Sequence, residues 1–173
     1  MVSKSAVHRQ PSLIFITVGS TEYPFARLQE VTSLFKETKF RLLPQSYDNT
    51  LTEAELIRSI SQADKVILHA APGSLYLVTK YAKNMPLIIP RRASFGEAVG
   101  DHQLHFARYI KKCLPNQYNK YVVTDSDIGP FVHDYVSQAG KKNILKNYLF
   151  PSDSRLLFEK SFKRLLLQKG LLE

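Results

Sequence analysis

The segment Lys65-Val66-Ile67-Leu68-His69-Ala70-Ala71-Pro72-Gly73-Ser74 decides the fold class of this chain. Val66 to Leu68 is a short apolar run that predicts a buried strand, and Pro72-Gly73 breaks it. A helix is then predicted to begin at about Ser74. Its helical spacing is carried by Leu75, Val78, Tyr81 and Ala82. Leu87 to Ile89 is a second short apolar run, so the segment predicts a strand–helix–strand unit.

The same alternation continues on both sides of this segment. Three further apolar runs predict strands: Leu13 to Val18, Phe40 to Leu43 and Tyr121 to Val123. Four further stretches predict helices: Phe25 to Phe35, Thr52 to Ala63, Asp101 to Ile110 and Ile128 to Val136. Thr52 with Glu55 forms a capping-box pattern, and Asp101 is a predicted N-cap. Apolar strands joined by amphipathic helices predict a doubly wound, Rossmann-like α/β fold with a parallel sheet.

The length and composition agree with one such domain. The chain has 173 residues, of which 44% are hydrophobic and 23% charged, and this combination excludes a disordered chain. We expect residues 1–12 to be a flexible segment and residues 13–150 to form the Rossmann-like domain. Residues 151–173 are expected to form an amphipathic basic helix, from about Ser154 to Gln168, that packs on the domain or on a partner.

Charge and cysteine content limit the classes of partner and compartment. No apolar run is long enough to span a membrane and Met1 to Gln10 is polar, which predicts a cytoplasmic location. Cys113 is the single cysteine, so an internal disulfide is excluded. The net charge of +9 admits nucleic acid, an anionic membrane face or a phosphorylated substrate. No nucleic-acid recognition motif accompanies the charge, so we expect no nucleic-acid partner.

Parallel sheets of this class bind ligands where their strands end, so the strand-to-helix loops are the places to look for chemistry. Gly19-Ser20-Thr21 follows the first strand. Glycine permits close approach of a ligand and the hydroxyls can bind an anion, although a plain turn explains the same residues. No GxGxxG or GK[ST] motif is present, so neither a dinucleotide site nor a P-loop is indicated.

The second loop, His69 to Ser74, leads into a helix. The first N–H groups of a helix, with roughly half a positive charge, suit a phosphate or diphosphate. Ser74 either adds a hydroxyl donor or caps the helix. His69 either donates an imidazole N–H to a phosphate oxygen or is a buried histidine bonded to the backbone. The sequence leaves both pairs of alternatives open.

The third loop, Pro90 to Gly100, has eleven residues, against about two to six in most such connections. Such length indicates function or disorder. The loop carries three charged side chains, Arg91, Arg92 and Glu97. At the start of the next helix, His102 and Gln103 can reach a ligand held over the sheet edge. His102 and His105 have no further ligands at zinc spacing, so no metal is expected.

The loops and the strands before them form one ordered pattern. Its parts are Phe15 to Thr21 with Phe25 and Leu28, Ala63 to His69, Gly73-Ser74, Pro86 to Arg92, Phe95-Gly96-Glu97 and Asp101-His102-Gln103. This pattern resembles the C-terminal domain of glycosyltransferase family 28 and its free-standing relatives. Those relatives include the small catalytic subunit of the dolichol-pathway N-acetylglucosaminyltransferase and small subunits of bacterial capsule and exopolysaccharide transferases. The resemblance spans residues 13–107.

The resemblance implies a domain similar to the C-terminal half of a GT-B glycosyltransferase, which holds a UDP-sugar donor. The UDP-sugar would be a substrate, and we expect no cofactor. It implies catalytic roles for His69 and for Gly19-Ser20-Thr21, which would line the cleft near the reacting centre. It implies donor-binding roles for Ala71, Gly73, Ser74, Arg91, Arg92, Glu97, His102 and Gln103. Within these sets, His69 and Gly73-Ser74 would meet the diphosphate, and Gln103 with His102 would meet hydroxyls of the donor sugar.

Three positions depart from the family pattern. Ala71 stands where glycine is common, and Ala98 stands where the family has a histidine. Leu77 replaces a glutamate that binds the ribose hydroxyls. Leucine cannot accept those hydrogen bonds, and losing such a contact costs roughly 1.5 to 3 kcal/mol. The departures keep open a non-catalytic accessory subunit that has lost donor binding.

One Rossmann-like domain cannot close a GT-B cleft by itself. The sequence therefore predicts the donor-binding subunit of a two-component inverting glycosyltransferase. A membrane-associated subunit would bind the acceptor, a polyprenyl-diphosphate-linked sugar, at the cytoplasmic face. The helix dipole, Ser74, His69 and Arg91 or Arg92 would neutralise charge on the departing diphosphate. The accessory subunit and, last, a nucleic-acid-binding module are the alternatives.

Overall fold

A four-stranded parallel sheet lies at the centre of the molecule. The computed structural model describes residues 13–17, 23–35, 38–42 and 51–149. Within them the strands are β1 (Leu13–Thr17), β2 (Lys39–Leu42), β3 (Lys65–His69) and β4 (Leu87–Ile89). Their order across the sheet is β2-β1-β3-β4, and every neighbouring pair is parallel.

Helices flank the sheet. They are α1 (Ala26–Ser33), α2 (Glu53–Gln62), α3 (Pro72–Tyr81), α4 (His102–Cys113), α5 (Gly129–Ser137) and α6 (Leu145–Leu149). Across the sheet, the connection from β1 to β2 runs in one direction. The connections from β2 past β1 to β3, and from β3 to β4, run in the opposite direction. Since such crossovers are right-handed, α1 lies on one face and α2 and α3 lie on the other. In agreement, α1 contacts α5 and α2 contacts α3. The predicted α/β class is confirmed, and the strand order is compatible with a Rossmann-like fold.

The two central strands form the middle of the hydrophobic core. Ile14, Phe15 and Ile16 of β1 have no exposed surface, and all five residues of β3 are buried. Successive residues of a strand point to opposite faces, so burial of consecutive residues means that both faces are covered. Each such apolar side chain contributes roughly 1.5 to 3 kcal/mol relative to an exposed one.

The predicted strand Tyr121 to Val123 is reduced to a single bridge. Val122 pairs in parallel with Ile88, and the Val123 N–H donates to the Ile88 carbonyl at 2.9 Å. Asn116–Tyr121 form a 3-10 helix. Because that helix extends to Tyr121, the chain reaches the sheet edge with little extended backbone left to pair.

Part of the prediction falls outside the described residues. This holds for segments 1–12 and 151–173 and for the predicted strand ends at Val18 and Leu43. Within the part of the chain that the structure describes, no helix combines the length and apolar character that crossing a bilayer requires.

The predicted capping box is present at the start of α2. Thr52 Oγ1 accepts the Glu55 backbone N–H at 3.3 Å, and Glu55 Oε2 accepts the Thr52 backbone N–H at 2.9 Å. This prediction is confirmed. Two N–H groups that the helix itself leaves unpaired are thereby satisfied.

Asn143 holds the C-terminal end of α3. Its Nδ2 donates to the carbonyl oxygens of Val78 and Ala82, at 3.1 Å in both cases. The Asn143 backbone N–H donates to the carbonyl of Lys83 at 3.1 Å. The chain then enters α6, a short helix that the sequence pattern did not predict and that contacts α3. Carbonyl groups at this end of α3 therefore have protein donors.

Tyr135 joins α5 to the sheet through its buried hydroxyl. The hydroxyl oxygen accepts the Val66 N–H at 3.1 Å and lies 2.9 Å from the carbonyl oxygen of Met85, to which it can donate. Burial raises the pKa of the Tyr135 hydroxyl, so it remains a neutral donor.

Replacing Tyr135 with phenylalanine should therefore destabilise the fold. Tyr135→Phe leaves two buried backbone groups without this partner, which should lower the free energy of unfolding by about 1 to 3 kcal/mol. Urea denaturation measures the change. Tyr148→Phe, which removes a hydroxyl from an exposed side chain on α6, is the control and should stay within about 0.5 kcal/mol of wild type. An equal effect of the two substitutions would contradict the assignment.

Candidate functional site

The carboxyl ends of the parallel strands meet at one edge of the sheet, here called the C-terminal edge. Thr17 pairs with Leu68 and His69 pairs with Ile89, so β1, β3 and β4 end side by side. The chain leaves β1 towards β2 on one side and leaves β3 towards β4 on the other. Where such loops diverge, a crevice opens beyond the strand ends. The candidate site lies at this edge.

The loop after β3 ends in a helix start whose N-cap residue makes no side-chain capping bond. Ala71 is the N-cap residue of α3, and Pro72 is the first helical residue. The helix therefore begins two residues before the predicted Ser74, because proline suits the first helical position. Ser74 lies in the first turn and makes no capping bond. The helix start keeps its partial positive charge.

Gly73 has room for a side chain among the described residues. A Cβ atom built on it would meet none of their heavy atoms within 4 Å, apart from its chain neighbours and the backbone of its own helix. Gly73 also has no left-handed backbone angle that would demand glycine. The fold itself does not require glycine here, whereas close approach of a ligand to the helix amides would favour it.

His69 is buried at the end of β3 with one ring nitrogen already in use. Its side chain is 5% exposed, and Nδ1 lies 3.0 Å from the Thr17 carbonyl oxygen. A carbonyl can only accept, so Nδ1 carries the proton and Nε2 of the neutral ring carries a lone pair. The pKa of His69 is lowered to about 4, chiefly by burial and also by the positive charge of Arg91. The hydrogen bond to the Thr17 carbonyl acts in the opposite direction and raises the pKa. The backbone-bonded alternative is thus present, and His69 is neutral at pH 7.

The lowered pKa of His69 predicts a loss of stability in acid. Between pH 6.5 and 4 the unfolded chain binds a proton at His69 that the folded chain does not, so stability falls as the pH falls. The full effect is roughly 3 kcal/mol.

Urea denaturation between pH 7 and pH 4 measures this dependence. His69→Asn retains a side-chain N–H for the Thr17 carbonyl and does not titrate, so its stability should fall less over this range than that of wild type. His105→Asn, at an exposed position on α4, should keep the wild-type slope. A His69→Asn slope equal to that of wild type would contradict the assignment.

Arg91 follows β4 and is a buried cation with two nitrogen atoms unpaired in the described part of the chain. The residue is 2% exposed, and its Nε and Nη2 atoms have no partner among the residues that the structure describes. Its guanidinium carbon lies 5.5 Å from the centre of the Phe25 ring. Burial lowers the pKa of Arg91, and the nearby carboxylate of Glu97 opposes this. Unpaired polar atoms of a buried charge are costly, so this side chain invites an anion.

Arg92, next along the chain, has a different environment. Its Nη1 donates to Ser126 Oγ at 2.9 Å, and its Nη2 donates to the Thr124 carbonyl. These acceptors precede α5. Arg92 Nε is buried without a partner among the described residues, as are Nε and Nη2 of Arg91. The two adjacent arginines differ in their terminal nitrogens: both of Arg92 donate to protein oxygens, whereas Nη2 of Arg91 meets no described acceptor.

Glu97 is fully buried in an ion pair with Arg27. Arg27 Nη2 lies 2.6 Å from Glu97 Oε2, and Arg27 Nε lies 3.1 Å from both carboxylate oxygens. Sequence reasoning did not find Arg27. The two residues are 70 positions apart, and no local pattern connects them.

The start of α4 contributes Gln103 to the C-terminal edge. Gln103 is 8% exposed, and its Oε1 accepts the Arg91 backbone N–H at 3.2 Å. His102 beside it is exposed. Asp101 is the N-cap residue, but its side chain makes no capping bond and accepts the Ala93 N–H at 3.1 Å instead.

Most of the predicted site residues lie in two neighbouring loops. The end of β3, the loop after it and the first turn of α3 carry His69, Ala71, Gly73 and Ser74. The loop after β4, with the start of α4, carries Arg91, Arg92, Glu97, His102 and Gln103. Gly19, Ser20 and Thr21 lie outside the described residues. In residues 13–17, 23–35, 38–42 and 51–149, no group of three or more potential metal-binding side chains occurs.

Three comparisons place the chain against known proteins. No protein family, no curated protein and no solved structure matches it. The interpretation of the site therefore depends on its own residues and geometry.

Proposed function

We propose that the chain is the donor-binding subunit of a two-component inverting glycosyltransferase that moves a sugar from a UDP-sugar to a polyprenyl-diphosphate-linked acceptor. One observation carries the proposal: the buried guanidinium of Arg91, whose Nε and Nη2 have no acceptor in the described part of the chain, lies at the same strand edge as the start of α3, where the N-cap residue supplies no side-chain bond. Both are sources of positive potential at the place where α/β sheets bind ligands.

A diphosphate is the ligand that best suits these two features. The start of α3 offers free amides and partial charge, and Arg91 adds a full charge in a medium of low dielectric constant. Glu97 is paired with Arg27, and in the described part of the chain no carboxylate forms a salt bridge with Arg91. Because Arg91 is 2% exposed, direct contact with a ligand requires the surrounding loops to rearrange, whereas Coulomb attraction does not.

The sequence pattern adds the sugar-nucleotide part of the proposal. The stretches that resemble glycosyltransferase family 28 include the loops after β3 and β4, which leave the C-terminal edge together. On this basis the domain corresponds to the C-terminal half of a GT-B enzyme, the half that holds the donor. The partner would supply the facing half of the cleft and bring the lipid-linked acceptor to the membrane surface.

Each side chain then has a role that its contacts allow. Arg91, the α3 dipole and Ser74 would stabilise charge on the departing diphosphate. Neutral His69 would accept a hydrogen bond at Nε2, since donation there needs a second proton that burial opposes. Gln103 and exposed His102 would meet hydroxyls of the donor sugar.

An accessory subunit without donor binding is the second candidate, favoured by Leu77. The side chain at this position is half-buried and packs against the hydrophobic core. The family pattern places a ribose-binding glutamate there, and leucine cannot accept those hydrogen bonds. Such a subunit would bind the same membrane-associated partner and give no heat with UDP in calorimetry.

Replacing Arg91 should separate stability from ligand binding. Arg91→Met removes a buried charge and should leave the fold as stable as wild type or more so, by about 1 kcal/mol or more. The same substitution should weaken UDP binding about tenfold or more, since it removes the Coulomb attraction between the buried guanidinium and the diphosphate. Urea denaturation and isothermal calorimetry measure the two effects.

Arg58→Met, at an exposed position on α2, is the control and should alter neither quantity. Uridine, which lacks the diphosphate, should bind wild type and Arg91→Met equally. Unchanged UDP affinity in Arg91→Met would contradict the role of Arg91.

Sugar transfer tests the two-component proposal directly. The chain is co-purified with the membrane-associated product of a co-expressed gene, and transfer of labelled sugar from UDP-sugar to a polyprenyl-diphosphate acceptor is measured. We expect transfer by the complex and none by either part alone. Transfer by the isolated chain would refute the need for a partner, and a complex with no UDP binding would favour the accessory subunit.

A further inference from the structure

The ion pair between Arg27 and Glu97 joins the start of α1 to two loops. Arg27 lies in the first turn of α1, after the β1 loop, and Glu97 lies in the loop after β4. Arg27 Nη1 also donates to the Ser126 carbonyl at 3.1 Å, in the loop before α5. One side chain thus connects segments that are far apart in sequence.

The pair leaves little of either side chain free for a ligand. Glu97 has no exposed surface, and the Arg27 side chain is 10% exposed. Glu97 also accepts the backbone N–H groups of Arg27 at 3.2 Å and of Arg92 at 3.3 Å. The ring of Phe95 covers the guanidinium of Arg27, with 4.4 Å from its central carbon to the ring centre. Contacts within the protein account for both charges.

The same network fixes the backbone on both sides of Arg91. Arg27 Nη2 donates to the Pro90 carbonyl at 2.9 Å, and Glu97 accepts the Arg92 N–H. Gln103 accepts the N–H of Arg91 itself. Side chains therefore hold both peptide groups that flank Arg91. Arg27 and Gln103 bind the peptide group before it, and Glu97 binds the one after it.

Gly96 makes this arrangement sterically accessible. Its φ of 65° lies in the left-handed region, which favours glycine. The Glu97 N–H donates to the Arg92 carbonyl at 3.1 Å. The loop thereby reverses direction and brings the Glu97 carboxylate within hydrogen-bond distance of the Arg92 N–H.

We infer that Arg27 and Glu97 are positioning residues that fix the Arg91 backbone and thereby set the place of its guanidinium. Glu97 acts through Arg27 and the loop and does not touch the ligand. The part of this inference that concerns ligand affinity rests on the proposed function, in which Arg91 attracts the donor diphosphate. The part that concerns loop order does not.

The test removes both charges at once. Arg27→Met with Glu97→Met avoids leaving one buried charge alone, so the fold should persist. We expect amide hydrogen exchange to rise about tenfold or more in residues 90–97 and to stay unchanged in β1 and β3. Affinity for UDP and for inorganic pyrophosphate, measured by calorimetry, should fall about tenfold or more.

The exposed pair of Lys120 and Asp134 provides a matched control. These side chains lie 3.8 Å apart and are 40% and 53% exposed. Lys120→Met with Asp134→Met should change neither exchange in residues 90–97 nor affinity. If the buried double variant does not fold, Arg27→Lys serves instead, because lysine retains the charge but cannot reach Glu97 and both carbonyls together.

The outcomes separate this inference from the proposed function. Unchanged exchange in residues 90–97 overturns the positioning role, and so does unchanged UDP affinity in a variant whose exchange has risen. A wild-type chain that binds neither UDP nor pyrophosphate overturns the proposed function. In that case the exchange measurement still decides whether Arg27 and Glu97 order the loop.

Discussion

The pairing of two parallel strands buried on both faces is the constraint on which the rest of this structure depends. β1 and β3 lie side by side in register, with helices covering both surfaces of the sheet. Their carboxyl ends must therefore meet at one edge, together with the end of β4. The loops that carry His69 and Arg91 are neighbours for this reason, although more than twenty residues separate them in the chain. No specific contact between the loops is needed to bring them together.

Three titratable side chains at this edge are buried in different environments. Glu97 is paired with Arg27, His69 is neutral, and Nε and Nη2 of Arg91 have no hydrogen-bonded acceptor among the described residues. A protein selected for stability alone would avoid the third environment, since desolvating an unpaired guanidinium costs free energy. Glu97 is paired within the protein and Arg91 is not paired with it. This difference is the physical reason for proposing a ligand-binding role for Arg91 and a positioning role for Glu97.

Features set by local sequence could be predicted, and those set by distant contacts could not. The apolar runs of β1, β3 and β4 and the capping box of Thr52 are local, and the structure has them where they were expected. The predicted strand at Tyr121 to Val123 is a single bridge in the structure, because a 3-10 helix over Asn116–Tyr121 includes the first of its residues. The apolar pattern does not reveal that helix.

The candidate site divides in the same way. The loop from His69 to Ser74 is contiguous, so its place at a strand end and helix start could be predicted. The partner of Glu97 could not, since Arg27 lies on another element, and the proton position on His69 depends on the carbonyl of Thr17 across the sheet. Helix α3 begins at Pro72 rather than at the predicted Ser74, because proline is favoured at the first position of a helix.

The two ends of α3 differ in how far side chains satisfy their free backbone groups, which leaves a permanent partial charge at one end. Asn143 supplies donors to carbonyls at one end, while the N-cap residue at the other end, Ala71, supplies no side-chain acceptor to the amides. Among the described residues, the peptide dipoles are therefore balanced by a side chain at their negative end. Neither proton uptake nor loss can remove the remaining positive pole, because it belongs to the backbone. An approaching anion would meet that pole under acidic and alkaline conditions alike.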